Sequence, residues 1–125
     1  MEFRLLSTEE VIVVHGAVLN PGELQGMAGN KSLDGALGRV EMRISYGLIN
    51  DVYALAAMYA VAISQAHVFN DANKPTAHAS MKLCLKMNGI VISVPVQEIG
   101  DKIIQVAQGN VDETDLAQWL REQAG

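Results

Sequence analysis

Val52-Tyr53-Ala54-Leu55-Ala56-Ala57-Met58-Tyr59-Ala60-Val61-Ala62-Ile63-Ser64-Gln65-Ala66 carries no formal charge, and its alanines and large apolar residues would surround the whole circumference of a helix. A helix that is apolar all round has no face for water and belongs in the middle of a bundle. Asn50 or Asp51 stands where its N-cap should be. The uncharged stretch runs on to Asn70, close to the ~20 apolar residues of a membrane span. Tyr53, Tyr59, Ser64, Gln65, His67 and Asn70 interrupt it, which favours a buried central helix instead.

Upstream, Ser7-Thr8-Glu9-Glu10 is a capping box, in which Ser7 and Glu10 can each satisfy the other's backbone. It predicts a helix over residues 8–19, stopped by Asn20-Pro21-Gly22. Residues 20–31, with Gly22, Gly26, Gly29 and Asn30, read as a loop without regular structure. Ser32 then caps a second helix with Leu33, Leu37, Val40 and Ile44 at helical spacing.

Downstream, His67 to Pro75 is polar and non-periodic and reads as a tight loop. In the helix after it, Ala77, Met81, Cys84 and Leu85 share an apolar face, while Lys74, His78, Lys82 and Lys86 mark a polar one. Gly89 is its C-terminal cap. Ile90-Val91-Ile92-Ser93-Val94 is β-like, but one strand cannot make a sheet. Pro95 opens another helix to about Gln108, and Asp112 starts a last one with Leu116, Trp119 and Leu120 facing inward. The pattern predicts an all-α bundle of about six helices forming one domain over residues 1–125.

The 125 residues suffice for one core, since folding at this size hides roughly two-thirds of the chain's surface. Half of them are hydrophobic and 18% charged, a globular balance. Nine Lys+Arg against fourteen Asp+Glu leave a net charge of −5, which argues against a direct nucleic-acid binder. A lone cysteine, Cys84, excludes an internal disulfide framework and a Cys-based zinc site. Glu2 and Ser7-Thr8-Glu9-Glu10 stand where a signal peptide would be basic and then apolar. The expectation is a soluble, cytoplasmic protein without a membrane partner.

Chemistry concentrates in His67-Val68-Phe69-Asn70-Asp71-Ala72-Asn73-Lys74-Pro75, which joins the buried helix to an amphipathic one. His67 can act as a general base near neutral pH. Asp71 offers a carboxylate that could hold Mg²⁺ beside a phosphate. Asn73 and the following amides lie at a helix N-terminus, which suits an anion, and Lys74 adds positive charge. Base, metal ligand, anion hole and cation together suit phosphoryl or nucleotidyl transfer. The same residues also make an ordinary interhelical turn, with the histidine as a helix cap. An EF-hand is excluded because the Gly and the twelfth-position Glu are missing. His15, His67 and His78 share no zinc-ligand spacing, and Cys84 falls on an apolar face.

This nonapeptide resembles the signature of the Fic/Doc family, His-x-Phe-x-Asp/Glu-Gly/Ala-Asn-Gly/Lys-Arg. Ala72 and Lys74 resemble its death-on-curing (Doc) toxin branch, and Gly26-Met27 and Gly38-Arg39-Val40 extend the likeness outward. The resemblance implies a Fic/Doc-like helical fold in which Phe69 anchors the loop in the core. It implies His67 as catalytic base, Asp71 as the Mg²⁺-binding acid and Asn73 as a phosphate-binding residue, with Ala72 replacing a glycine of close backbone approach. Most Fic enzymes carry glycine where this chain has Lys74, and transfer AMP. The Doc branch instead implies an ATP-dependent protein kinase that moves the γ-phosphate to a threonine of translation elongation factor Tu and arrests growth. Its implied partner is a Phd-type antitoxin.

Pro75 departs from the pattern, which has a phosphate-clamping arginine there. Proline supplies no charge and deletes a backbone N–H, yet is welcome in a helix's first turn. A folded toxin with impaired catalysis is the expectation. A catalytically dead Fic-fold module retained for antitoxin binding, or a Fic-type AMP transferase, are the alternatives.

Overall fold

The computed structural model describes residues 2–29 and 31–124; Met1, Asn30 and Gly125 lie outside the described residues. Among the described residues six helices follow one another: α1 (Thr8–Val18), α2 (Leu33–Ser45), α3 (Val52–Ala66), α4 (Asn73–Met87), α5 (Val96–Ala107) and α6 (Glu113–Ala124). Local chemistry sets their starts. Glu10 N–H donates to Ser7 Oγ at 3.1 Å and Ser7 N–H to Glu10 Oε1 at 2.8 Å, so both halves of the capping box form. Ser32 accepts from Gly35 N–H and Asp51, rather than Asn50, from Ala54 N–H. Gly89 ends α4 at φ +83°, a conformation that glycine adopts without steric penalty.

α3 is the axis of the molecule. Every residue from Leu55 to Ser64 is buried, and α2, α4, α5 and α6 all pack on it. Its alanines let those neighbours approach from several sides at once. α1 lies against α4 and, more lightly, α2. Buried Tyr59 reaches out of α3 to accept the Leu6 N–H at 2.9 Å, and burial pushes its hydroxyl pKa up to about 12. Asn88 exchanges two hydrogen bonds with the Arg4 backbone, clasping the N-terminal segment to the end of α4. None of the described helices is long and apolar enough to cross a membrane.

The structure corrects several details of the sequence reading. α1 stops at Val18 because Leu19 is already extended, and α4 starts at Asn73, so the connecting loop is 67–72 and Pro75 lies inside the helix. As the all-α reading expects, the β-like run Ile90–Val94 forms no strand, and no described segment pairs with it. Ile44 and Trp119 are only partly buried, Trp119 lying under Lys102 Nζ at 5.5 Å from the ring centroid. In apolar α1 only Val11 and His15 are buried, and Val13 is 71% exposed.

Candidate active site at the start of helix α4

The turn between α3 and α4 is built from two left-handed residues. His67 ends α3 at φ 50°, ψ 44°, and Ala72 precedes α4 at φ 65°, ψ 32°. Neither is glycine, so each conformation carries strain that the surrounding contacts must hold. Between them Val68 and Phe69 plunge into the core while His67 and Asn70 remain exposed. Phe69 is 3% exposed.

Three groups hold this loop. The Asn73 side chain folds back, accepting from Phe69 N–H at 3.0 Å and donating to Phe69 carbonyl at 2.9 Å. The Gly-rich segment runs antiparallel to it: Ala28 N–H donates to Val68 carbonyl, Asn70 N–H to Gly26 carbonyl, and Asn70 Nδ2 to Gln25 carbonyl. Gly26 supports this at φ +89°. Third, buried His15 of α1 stacks on the Phe69 ring, with centroids 3.9 Å apart and planes 8° from parallel. Its Nε2 lies 2.8 Å from the Asp71 carbonyl oxygen.

A cleft of about 270 Å³ opens above this framework. His67, Asn70, Asp71, Ala72, Asn73, Lys74 and Pro75 line it, with Glu23 and Ser64. Every chemistry-bearing residue singled out in the sequence motif therefore meets in one place, while Val68 and Phe69 point away into the core. Asp71 Oδ2 accepts the Leu24 N–H at 2.7 Å, while Oδ1 has no partner among the described residues. Lys74 is exposed and makes no ion pair among them. Thr76 N–H and Oγ1 both donate to the Ala72 carbonyl, making Thr76 the first residue whose amide is used inside α4. The amides of Ala72, Asn73 and Lys74 consequently have no partner among the described residues, and Pro75 has no N–H to offer. The Asn73 side chain spends its oxygen and one N–H on Phe69, so its backbone N–H and the second Nδ2 N–H are the donors it has left for an anion.

Larger depressions lie elsewhere, including one of about 450 Å³ between α5 and α6 lined by Glu98, Asp101, Lys102, Gln105, Trp119 and Gln123. None of these side chains is an imidazole base suited to neutral pH. The smaller cleft is where a base, a carboxylate with a free oxygen, an ammonium and unpaired amides converge. A single carboxylate is also what Mg²⁺ bound mainly through phosphates and water requires of a protein. Among the described residues no cluster of three His, Cys, Asp or Glu could cage a metal by itself.

Sequence reasoning passed over His15, Glu23 and Leu24 as parts of this site. His15 did leave a trace, since it falls four residues after Val11 on the inward face of an otherwise apolar helix. Glu23 and Leu24 left none, being loop residues placed by tertiary contact.

Residues 5–85, from before α1 to late in α4, match the Fic/DOC family. The chain is also 37% identical over 124 residues to the protein kinase doc of Escherichia phage P1, an alignment covering 98% of this chain and 97% of that one. The helical architecture, the motif gathered at the head of α4 and a family match spanning both lead to one conclusion: the chain belongs to the Fic/DOC family.

Proposed function

We propose that this protein is the toxin of a toxin–antitoxin pair, a Doc-like kinase that transfers the γ-phosphate of ATP to a threonine of elongation factor Tu, and that Pro75 impairs it. The convergence of His67, Asp71, Lys74 and the unpaired amides on one cleft carries the reading, supported by likeness to a protein kinase. In the reaction His67 takes the proton of the threonine hydroxyl as its oxygen bonds to the γ-phosphorus. The bond from that phosphorus to the β–γ bridging oxygen breaks, and ADP leaves with those electrons. The amides of Ala72, Asn73 and Lys74 and the Lys74 ammonium receive the phosphates. Asp71 would hold Mg²⁺, which would supply positive charge to offset that of the nucleotide.

Lys74 supports γ-phosphate over AMP transfer, because a long cationic side chain crowds the place where AMP-transferring relatives have glycine. The antitoxin, of Phd type, has an apolar surface available to it: Val13 and Val14 of α1 and Leu83 of α4 line an open groove of about 250 Å³.

Pro75 favours a second reading, a non-catalytic module kept for antitoxin binding. One experiment separates them: transfer of label from γ-labelled and α-labelled ATP to elongation factor Tu by the protein as it stands, by Pro75→Arg, and by Pro75→Arg with His67→Ala. The kinase reading expects slow γ-transfer, acceleration by arginine, and loss of ~10²–10⁴-fold when the base is removed. Transfer of the α-label identifies an AMP transferase. No transfer by the arginine variant leaves the binding module.

A further inference from the structure

His15 does not line the cleft, yet it holds the piece of backbone that leads into the anion hole. A carbonyl can only accept, so the 2.8 Å contact requires the proton of the imidazole to sit on Nε2 and donate to the Asp71 oxygen. No described peptide bond is cis, so the Asp71 C=O and the Ala72 N–H point in opposite directions across one planar unit. The carbonyl is drawn toward buried His15, which does not line the cleft, whereas Asp71 and Ala72 do. The Ala72 N–H is thereby turned away from α1, and no described group accepts from it. Flipping this peptide would bury the N–H against α1 and present a carbonyl oxygen toward an incoming phosphate.

We propose that His15 is a positioning residue: by holding the Asp71 carbonyl and stacking on Phe69, it aims the Ala72 N–H into the cleft as a phosphate donor beside Asn73 and Lys74. This rests on the proposed reading of the cleft as a nucleotide phosphate site. The two contacts have separate jobs. Stacking on Phe69 fixes where the imidazole lies, and the hydrogen bond fixes which way the peptide faces.

The test uses the whole protein, ¹⁵N-labelled, titrated with ATP and Mg²⁺ and followed by NMR, with His15→Phe and His15→Gln beside it. His15→Phe keeps a flat ring against Phe69 and lacks the donor, and His15→Gln restores a side-chain N–H without the ring. In the parent protein the Ala72, Asn73 and Lys74 amides should shift together on titration. His15→Phe should bind about tenfold more weakly, a loss of one good hydrogen bond, with the Ala72 response lost and the Lys74 response kept. His15→Gln should recover the Ala72 response. Equal affinity and an unchanged Ala72 response in His15→Phe would overturn the assignment. So would imidazole ¹⁵N shifts placing the His15 proton on Nδ1, a measurement that needs no ligand and holds even if a variant fails to fold. If the parent shows no amide response to ATP at all, the phosphate-site reading fails. The tautomer, and the change in the free Ala72 amide shift between parent and His15→Phe, then still decide whether His15 orients the peptide.

Discussion

Ala72 sits at φ 65°, ψ 32°, where a β-carbon crowds the following carbonyl oxygen and the left-handed region costs roughly 1–2 kcal/mol for a non-glycine residue. Ala72→Gly should raise stability by about 1 kcal/mol, less the extra freedom glycine gives the unfolded chain. Thermal melting checks this, and a lowered melting temperature would mean that the β-carbon makes contacts outweighing the strain. Three positions on, Pro75 has neither a charged side chain nor an N–H to add to the free amides at the head of α4. Pro75→Ala supplies only the amide, whereas Pro75→Arg supplies both. Anion affinity should therefore rise in the order Pro, Ala, Arg, with arginine's bidentate fork providing the larger step. Titration with ATP and Mg²⁺ measures it; equal affinity of all three would show that neither group reaches the phosphates.

At the scale of elements, α3 and α6 are joined by a carboxylate with two duties. Asp51 caps α3 through the Ala54 N–H and receives Arg121 Nε at 2.7 Å and Nη2 at 3.1 Å. The Arg121 hydrogen bond, opposed by partial burial, holds the Asp51 pKa below its ordinary 3.8. A carboxyl with a depressed folded pKa contributes its stability fully above the unfolded value and loses it as pH falls from about 3.8 through the lower folded value. Asp51→Asn keeps a capping oxygen and gives up the charge, so it should cost no more than ~1 kcal/mol, as both partners are about one-third exposed. Asp51→Ala also loses the cap, adding about 1 kcal/mol. Denaturant midpoints at neutral pH and near pH 3 test this: the gap between parent and Asp51→Asn should shrink in acid. A constant gap would show that the ion pair does not contribute.

For the whole molecule, the alanines of α3 set how closely four helices surround it. Ala60 is fully buried, so Ala60→Leu inserts volume where nothing can yield cheaply and should destabilise by ~1–3 kcal/mol or more. A milder scan of the same core comes from Cys84, which is inaccessible and whose thiol is pushed up to about 12 by burial. Since the thiolate is the reactive form, Cys84 should resist a disulfide reagent at pH 8 in the folded protein and react at once in denaturant. Its native-state labelling rate then reports opening of the core, and Ala60→Leu should accelerate it. Rapid labelling of the parent protein would contradict the burial of α4 against α3.

Helix starts and stops were legible along the chain because their causes are local. Ser7, Ser32 and Asp51 each accept from an amide three residues on, and Gly89 takes a left-handed turn in place. The motif chemistry was legible for the same reason: His67, Asp71 and the head of α4 are neighbours in sequence, so any fold that makes the turn brings them together. Contacts between distant segments were not legible. His15 reaches the Asp71 carbonyl across 56 residues and Leu24 reaches its carboxylate across 47, and nothing in the sequence around either one specifies the other. Asn73 showed the same limit, since an amide side chain can bind a ligand or its own backbone, and closure of the loop on Phe69 selected the backbone. Ile90–Val94 had strand-forming residues but needed a partner that the packing of α4 and α5 did not supply. Sequence by itself determined which helices form and which groups gather at the start of α4. Tertiary structure alone decided how those groups are oriented, because orientation depends on hydrogen bonds and stacking partners that exist only once distant helices have packed.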